Sequence, residues 1–409
     1  MLSTYAENMD TTLNNNLKGK PKIAICQDYI SFGGRITVLI DIIYLLNKID
    51  IVPDLITYKM SVSKSEIHRK YGFNIRFNVI QLKRNIFKKF DELNKLFFNY
   101  RINRYKNIYD VFFESNNTSC FFPSGKVISY VHYPRIDRVL KKSSIHGKDH
   151  EYSVKARFVK YLDKSIASFF YKLAPVAFDQ DYLFNSLFTK NVFLQYYLYQ
   201  IDQNRTKVVY PPTGEGQISD KLDKKPKTVV TLGRFSAYKR QFEQILIAER
   251  LPDFTFYIIG FKDPSGKYFN KCKKYIELNQ LKNVKLFTDL KLEEVNGILN
   301  FSQFFLHTTQ NEPFGITTVQ AIRRGCIPIV PNNGGQMEIV NIEELRFSDI
   351  SQAVDILINF NFRKISDYYR ALNSNIVLFS SSSFQKNLEE IVLNRLKNGT
   401  KRMDESRKS

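Results

Sequence analysis

The chain has 409 residues, 43% of them hydrophobic, which is too long for one ordinary core and enough to bury two, and which excludes a mainly disordered protein. Lys and Arg number 61 against 40 Asp and Glu, a net charge of +21 that favours nucleic acid, acidic membrane or phosphorylated ligands over acidic partners, with a solvated basic surface as the plain alternative. Cys26, Cys120, Cys272 and Cys326 lie at neither metal-ligand nor redox spacing and read as buried, reduced thiols of a cytoplasmic protein. In chain order, residues 1–20 are a polar tail without the apolar core of a signal peptide. Lys22–Cys26 reads as a buried strand, Gly33-Gly34 as a turn, and the apolar spacing from Ile36 as a helix. Further strands are expected at Leu55–Tyr58, Asn78–Leu82, Val111–Phe113, Val127–Val131 and Lys207–Tyr210. The nearest approach to a membrane span, Ser165 to Phe178, is short and carries Lys172 and Pro175, so a soluble or peripheral protein is expected.

The Pro, Gly and charged residues of 211–227 suit a linker. Beyond it the alternation is regular. TVVTLG, TFYIIG, VKLFT, QFFLHT and IPIV read as strands, each followed by a helical segment. This predicts an α/β fold with parallel sheets covered on both faces, binding ligands beyond the carboxyl ends of the strands. The expected division is a tail (1–20), a first domain (21–215), a linker (216–227), a second domain (228–381) and a C-terminal helix with a charged tail (382–409).

Two turns carry chemistry. Gly233-Arg234 through Lys239-Arg240 puts cations where a strand ends and a helix begins, an arrangement a diphosphate needs; a solvated helix start is the alternative. Asn311 to Gln320 lies between QFFLHT and a helix. There Gly315 permits close backbone approach, the helix N–H groups favour phosphate oxygens, and Glu312 can accept from sugar hydroxyls or merely cap the helix.

The series GR-x4-K, EPFG-x4-Q, G-x-I-P-I-V and G-G-x-x-E-I-V resembles the retaining glycosyltransferases of family 4. That family has the GT-B fold, two Rossmann-like domains with parallel sheets facing a cleft. In the first half, Gly33-Gly34 looks like the family's glycine-rich loop. YVHYPRID (130–137) looks like the HYP segment of lipid-linked-oligosaccharide mannosyltransferases, and FNSLFTKNV and VVYPP are similar to segments closing the first domain. The resemblance implies catalytic or contacting roles for His132, Arg234, Lys239 and Glu312. It implies donor binding by Gly33, Gly34, Gly233, Arg234, Lys239, Phe314, Gly315, Ile316 and Gln320. Arg234 and Lys239 would hold the diphosphate, Glu312 and His132 would meet the sugar, and 314–316 would offer backbone N–H groups. Gln320 departs from the family pattern, which has a second glutamate there for the ribose. A Gln carbonyl can still accept that bond.

The implied activity is hexosyl transfer, mannose from GDP-mannose, to a lipid-linked oligosaccharide or other glycan. A UDP-sugar user, an inactive relative and a basic nucleic-acid-binding protein are the alternatives, although no nucleic-acid module is visible. No metal or other cofactor is expected. His146 and His150 have i, i+4 spacing, but Gly147 interrupts the helix and no third ligand follows; His68 and His307 have no comparable support. The segment 81–106 interleaves eight cations with Phe87, Phe90, Leu93, Phe97 and Phe98. It reads either as a helix resting on an anionic membrane or as an ordinary helix burying its apolar face.

Overall fold

A computed structural model describes residues 20–72, 74–83, 90–115, 126–140, 154–173, 180–215, 224–262 and 265–406. Expectations for Cys120, His146, His150, 84–89 and 216–223 fall outside these residues.

The first half builds one parallel sheet. In chain order it contains β1 (Ile23–Cys26), β2 (Tyr29–Ile30), α1 (Gly34–Lys48), β3 (Asp54–Thr57), β4 (Lys59–Met60), α2 (Lys64–Tyr71), β5 (Asn78–Gln81) and α3 (Asp91–Ile102). It continues with β6 (Val111–Glu114), β7 (Val127–Val131), α4 (Arg135–Leu140), α5 (Val154–Leu173), β8 (Asp181–Phe184), α6 (Leu187–Tyr197) and β9 (Thr206–Val208). The sheet order is β5-β3-β1-β6-β7-β8-β9, while β2 and β4 form a separate parallel pair. Strands β1, β6 and β7 are buried along their whole length, as strands covered on both faces must be. Strand β8 was not among the expected strands. It is a four-residue run that passes through Asn185-Ser186 straight into a helix, too short to stand out by periodicity.

The second half is a second parallel sheet, made of β10 (Lys225–Leu232), α7 (Gln241–Glu249), β11 (Thr255–Gly260), α8 (Lys267–Leu278), β12 (Val284–Thr288), α9 (Leu292–Phe301) and β13 (Ser302–Leu306). There follow α10 (Ile316–Arg323), β14 (Ile327–Pro331), α11 (Gln336–Ile339), β15 (Arg346–Phe347), α12 (Ile350–Ile358), α13 (Ile365–Ile376) and α14 (Ser381–Ser406). Its order is β12-β11-β10-β13-β14-β15. Strand β10 starts at Lys225, inside the stretch expected as linker, and α14 extends helix into the expected charged tail. Helix α14 returns to the first domain. Phe384, Leu388, Val392 and Leu396 join the core formed by β1 and α1, and Arg395 pairs with Asp181 at 2.9 Å.

Each sheet has one switch point, where strand order reverses. These lie between β1 and β6 in the first sheet and between β10 and β13 in the second. In open α/β sheets ligands bind beyond the strand ends at such points.

The described part of the 81–106 segment behaves as an ordinary domain helix. Phe98 and Ile102 of α3, one helical turn apart, are buried against the sheet, and Leu96 on another side of the helix is buried in a second cluster with Val131 and Tyr182. The apolar face turned outward belongs to α5 instead: Phe158 is 61% exposed and Phe169 60%.

Candidate active site between the two sheets

The turn after β10 is held from below. Phe235 is fully buried against Phe269, and the Gln241 side-chain amide donates to the Arg234 carbonyl at 2.7 Å. Backbone bonds from Gly233 to Ile259 and from Phe235 to Phe261 extend the β10–β11 pairing into the loop. Gly260 allows this, because a Cβ there would lie 1.8 Å from the Gly233 carbonyl oxygen. Gly233 itself would meet only side-chain atoms at ordinary contact distance. With its backbone fixed, Arg234 turns an exposed guanidinium outward, without a protein partner among the described residues.

Lys239 is fixed from the neighbouring strand. The Thr308 hydroxyl, just past β13, donates to the carbonyls of Lys239 and Arg240 at 3.2 and 3.1 Å. The Gln244 amide in turn donates to that hydroxyl at 2.9 Å. The Lys239 ammonium then donates to Glu312 Oε2 at 2.7 Å. The two expected contacting groups therefore meet, one from the end of β10 and one from the loop after β13.

The loop bearing Glu312 is shaped by two glycines it does not contain. A Cβ on Gly334 would fall 2.7 Å from the Glu312 carbonyl oxygen, and one on Gly335 would fall 2.2 Å from that of Pro313. The Gly335 N–H donates to Glu312 O at 2.8 Å. Phe314 is buried with its ring 5.2 Å from that of Phe379, so only its backbone can face a ligand. Gly315 adopts φ 115°, in the left-handed region, and leads into α10. The first N–H groups of that helix lack intrahelical acceptors. Gln320 is exposed farther along α10.

On the first domain, Gly33 has φ 153° and Gly34 opens α1. A Cβ on Gly34 would come 3.0 Å from Ile316 Cδ1 across the cleft, so the two loops face each other. His132 follows β7. Its Nε2 lies 3.0 Å from the Ser115 hydroxyl at the end of β6, and its carbonyl accepts from the Asn185 amide at 2.8 Å. The next residue, Ser186, donates to the Pro313 carbonyl at 2.6 Å. Asn185-Ser186 thus links the HYP segment to the EPFG loop, although 181 residues separate His132 from Pro313 in sequence (313 minus 132). Glu338 completes the junction, accepting from the Leu187 and Phe188 N–H groups at 2.8 and 2.9 Å.

Several groups at this site were not singled out from the sequence. Arg35 donates to the Ser115 carbonyl at 2.9 Å and pairs with buried Asp28 at 3.3 Å, next to the glycine turn. Its position directly after Gly33-Gly34 was the available signal. His307 ends the run QFFLHT as His132 follows VISYV, and it is buried beside Glu312 and Lys239. Burial pushes its pKa down to about 3, against the pull of Glu312, so the ring is neutral at physiological pH. Cys26, Cys272 and Cys326 are buried free thiols. Among the described residues no helix is long and apolar enough to cross a membrane.

Residues 216–348 match the family model for glycosyl transferases group 1. The human GDP-Man:Man(3)GlcNAc(2)-PP-Dol alpha-1,2-mannosyltransferase is 25% identical over 315 residues, covering 68% of this chain and 63% of its own. The Yarrowia lipolytica protein of the same name is 23% identical over 228 residues, covering 51% and 36%. The matched part is therefore less than two thirds of either relative's length. Among solved structures, Anabaena HepE in complex with UDP and glucose superposes with TM-score 0.62 at 14% identity, covering 92% of this chain and all of that one. WaaG, a glycosyltransferase involved in lipopolysaccharide biosynthesis, gives 0.63 at 14% identity, covering 90% and 99%. Two parallel sheets whose switch points face each other, superposing on these solved glycosyltransferases, give the chain the GT-B fold, and the group 1 glycosyl transferase model is matched by residues 216–348 within it.

Proposed function

We propose that the protein is a retaining hexosyltransferase that moves mannose from GDP-mannose to a lipid-linked oligosaccharide. The observation carrying this reading is the convergence of Lys239 on Glu312 at 2.7 Å, at the switch point of the second sheet and beside the Arg234 turn. One wall of the crevice then offers cations for a diphosphate and a carboxylate for sugar hydroxyls. The names of the human and Yarrowia relatives supply the donor and the acceptor class.

In this mechanism Arg234, Lys239 and the N-terminus of α10 hold the diphosphate and stabilise the charge that develops as the sugar–phosphate bond breaks. The electron pair of that bond leaves on the phosphate oxygen. The acceptor hydroxyl attacks from the same face, and its proton passes to the departing phosphate. Glu312 and His132 orient the sugar, and Gln320 accepts from the ribose. The fixed positive groups make a bound metal unnecessary, so transfer should persist in chelator. Apposition of the Gly34 and Ile316 loops keeps water from the donor.

A UDP-sugar is the second reading for the donor, favoured by the UDP held by Anabaena HepE. Thermal stabilisation by a panel of nucleotide-sugars, followed by transfer assays, decides between them. Failure of every nucleotide-sugar to bind would remove both readings.

A further inference from the structure

His307 stands directly past the carboxyl end of β13, at the switch point of the second sheet. Its backbone N–H donates to the Ile329 carbonyl at 3.0 Å, so the ring hangs from backbone that still belongs to the sheet. Side chains alternate along a strand, which puts the ring on the same face as Phe305, with 6.3 Å between the ring centroids. Phe305 packs with Ala321 of α10, and the chain enters α10 at Ile316 from this end of the strand. The ring therefore lies on the side of the sheet that α10 covers. It is 4% exposed, and both Glu312 and Lys239 are near enough for their charges to act on it.

The two ring nitrogens are in different situations. Nδ1 accepts from the Thr309 N–H at 3.3 Å, so the proton of the neutral ring is on Nε2. Nε2 has no protein partner among the described residues. Nor does it belong to the fully enclosed, unbonded side-chain atoms found among those residues, so it is not sealed in. At a strand end of the switch point the open side is the crevice. A histidine kept for packing alone has both nitrogens bonded within the protein, because an unbonded polar group in a buried place is costly. Here one nitrogen fixes the ring and the other presents a single uncharged donor.

The neighbours decide what that donor meets. The Glu312 carboxylate, paired with Lys239 at 2.7 Å, can only accept hydrogen bonds. A phosphate oxygen beside it would meet repulsion, and Arg234 and Lys239 already offer phosphate a place. A hydroxyl suits both groups, donating to Glu312 while its oxygen accepts from Nε2–H. We propose that His307 is a sugar-contacting, specificity-determining residue, donating from Nε2–H to the hydroxyl of the transferred hexose that meets Glu312. The assignment rests on the hexosyltransferase reading and deepens it. A sugar that lacks this hydroxyl, or turns it away as an epimer does, leaves both buried groups unpaired and is rejected.

The test compares dissociation constants of the full chain for GDP and GDP-mannose, with UDP and UDP-glucose as the second pair. His307→Phe keeps a flat ring and removes the donor. It should weaken the nucleotide-sugar about tenfold, while the diphosphate alone binds within about twofold of wild type. Retained diphosphate binding also shows that the variant is folded, and His307→Leu repeats the comparison so that the result does not hang on one variant. His307→Gln, which keeps an N–H donor, should regain part of the loss. Deoxy analogues of the sugar locate the contact, since one of them should bind wild type and His307→Phe equally. The proposal is overturned if diphosphate and nucleotide-sugar weaken together, which would put the effect on the phosphates or the fold. It is equally overturned if neither weakens, or if every deoxy analogue keeps the full difference; in these cases nucleotide-sugar binding by wild type leaves the hexosyltransferase reading standing. If wild type binds none of the four ligands, that reading falls and this contact falls with it.

Discussion

Lys239 and Glu312 are joined by a 2.7 Å ion pair between the carboxyl end of β10 and the loop after β13. Both side chains are partly shielded, 26% and 14% exposed, and both backbones are anchored, by Thr308 and by Gly335 respectively. The pair is thus a fixed feature of the crevice. An incoming diphosphate and sugar would exchange this mutual contact for contacts of their own.

Replacing either residue by Ala should lower kcat/KM by about a hundredfold or more, the usual effect of removing one preorganised charged contact. The double variant should lose less than the product of the two single losses, because each single change already strands the other partner. Initial rates with the donor identified by the panel measure this. Wild-type rates in Lys239→Ala or Glu312→Ala would end the roles assigned to them.

Two glycines should respond in opposite directions. Gly297 lies inside α9 with open space around it, so Gly297→Ala should stabilise by about 0.5–1 kcal/mol through helix propensity. Gly335→Ala would drive a methyl into the Pro313 carbonyl oxygen, 2.2 Å away, and backbone cannot swing aside as a side chain can. It should destabilise the protein and weaken donor binding by displacing the Glu312 loop. Thermal melts with and without donor separate the two effects; a harmless Gly335→Ala would contradict the packing argument.

The second domain was largely legible in the sequence because its signals are local. Strands such as Thr255–Gly260 and Val284–Thr288 are short apolar runs punctuated by turns, and the loop motifs follow them directly. What remained hidden depends on long-range contact. The Asn185-Ser186 bridge, the return of α14 to the first domain, and the approach of Gly334-Gly335 to the Glu312 loop join segments that no periodicity connects. The basic segment left two readings open for a related reason. Apolar spacing in α3 shows that one face is apolar, but not whether it meets a core or a membrane, and Phe98 meets the core.

Glu338 acts between domains, so its removal should be felt in stability more than in chemistry. Glu338→Ala strands two N–H groups at the start of α6 and removes a carboxylate from that helix's positive end. A loss of about 1–2 kcal/mol is expected, with Glu338→Gln milder because its carbonyl can still accept one bond. Urea midpoints of the three proteins provide the comparison. Equal midpoints would show that the junction does not depend on this cap.

Asp41 supplies a pH signature. It is buried on α1, accepts from Gln385 of α14 at 3.2 Å, and has its pKa pushed up to about 6 by burial, with Glu215 adding repulsion and Lys48 opposing it. The folded state therefore holds this proton more tightly than the unfolded chain. Stability attributable to the protonated form is lost as pH rises through about 6. Above that point the buried carboxylate costs roughly 3 kcal/mol at most. Asp41→Asn retains an acceptor for Gln385 without the charge. It should raise the melting temperature near pH 7.5, and the advantage should shrink towards pH 4. His307 acts in the opposite sense, because its depressed pKa removes stability as pH falls below about 6.5. That contribution is common to both proteins and cancels in the difference. A constant difference between Asp41→Asn and wild type across this range would show that Asp41 is not the titrating group.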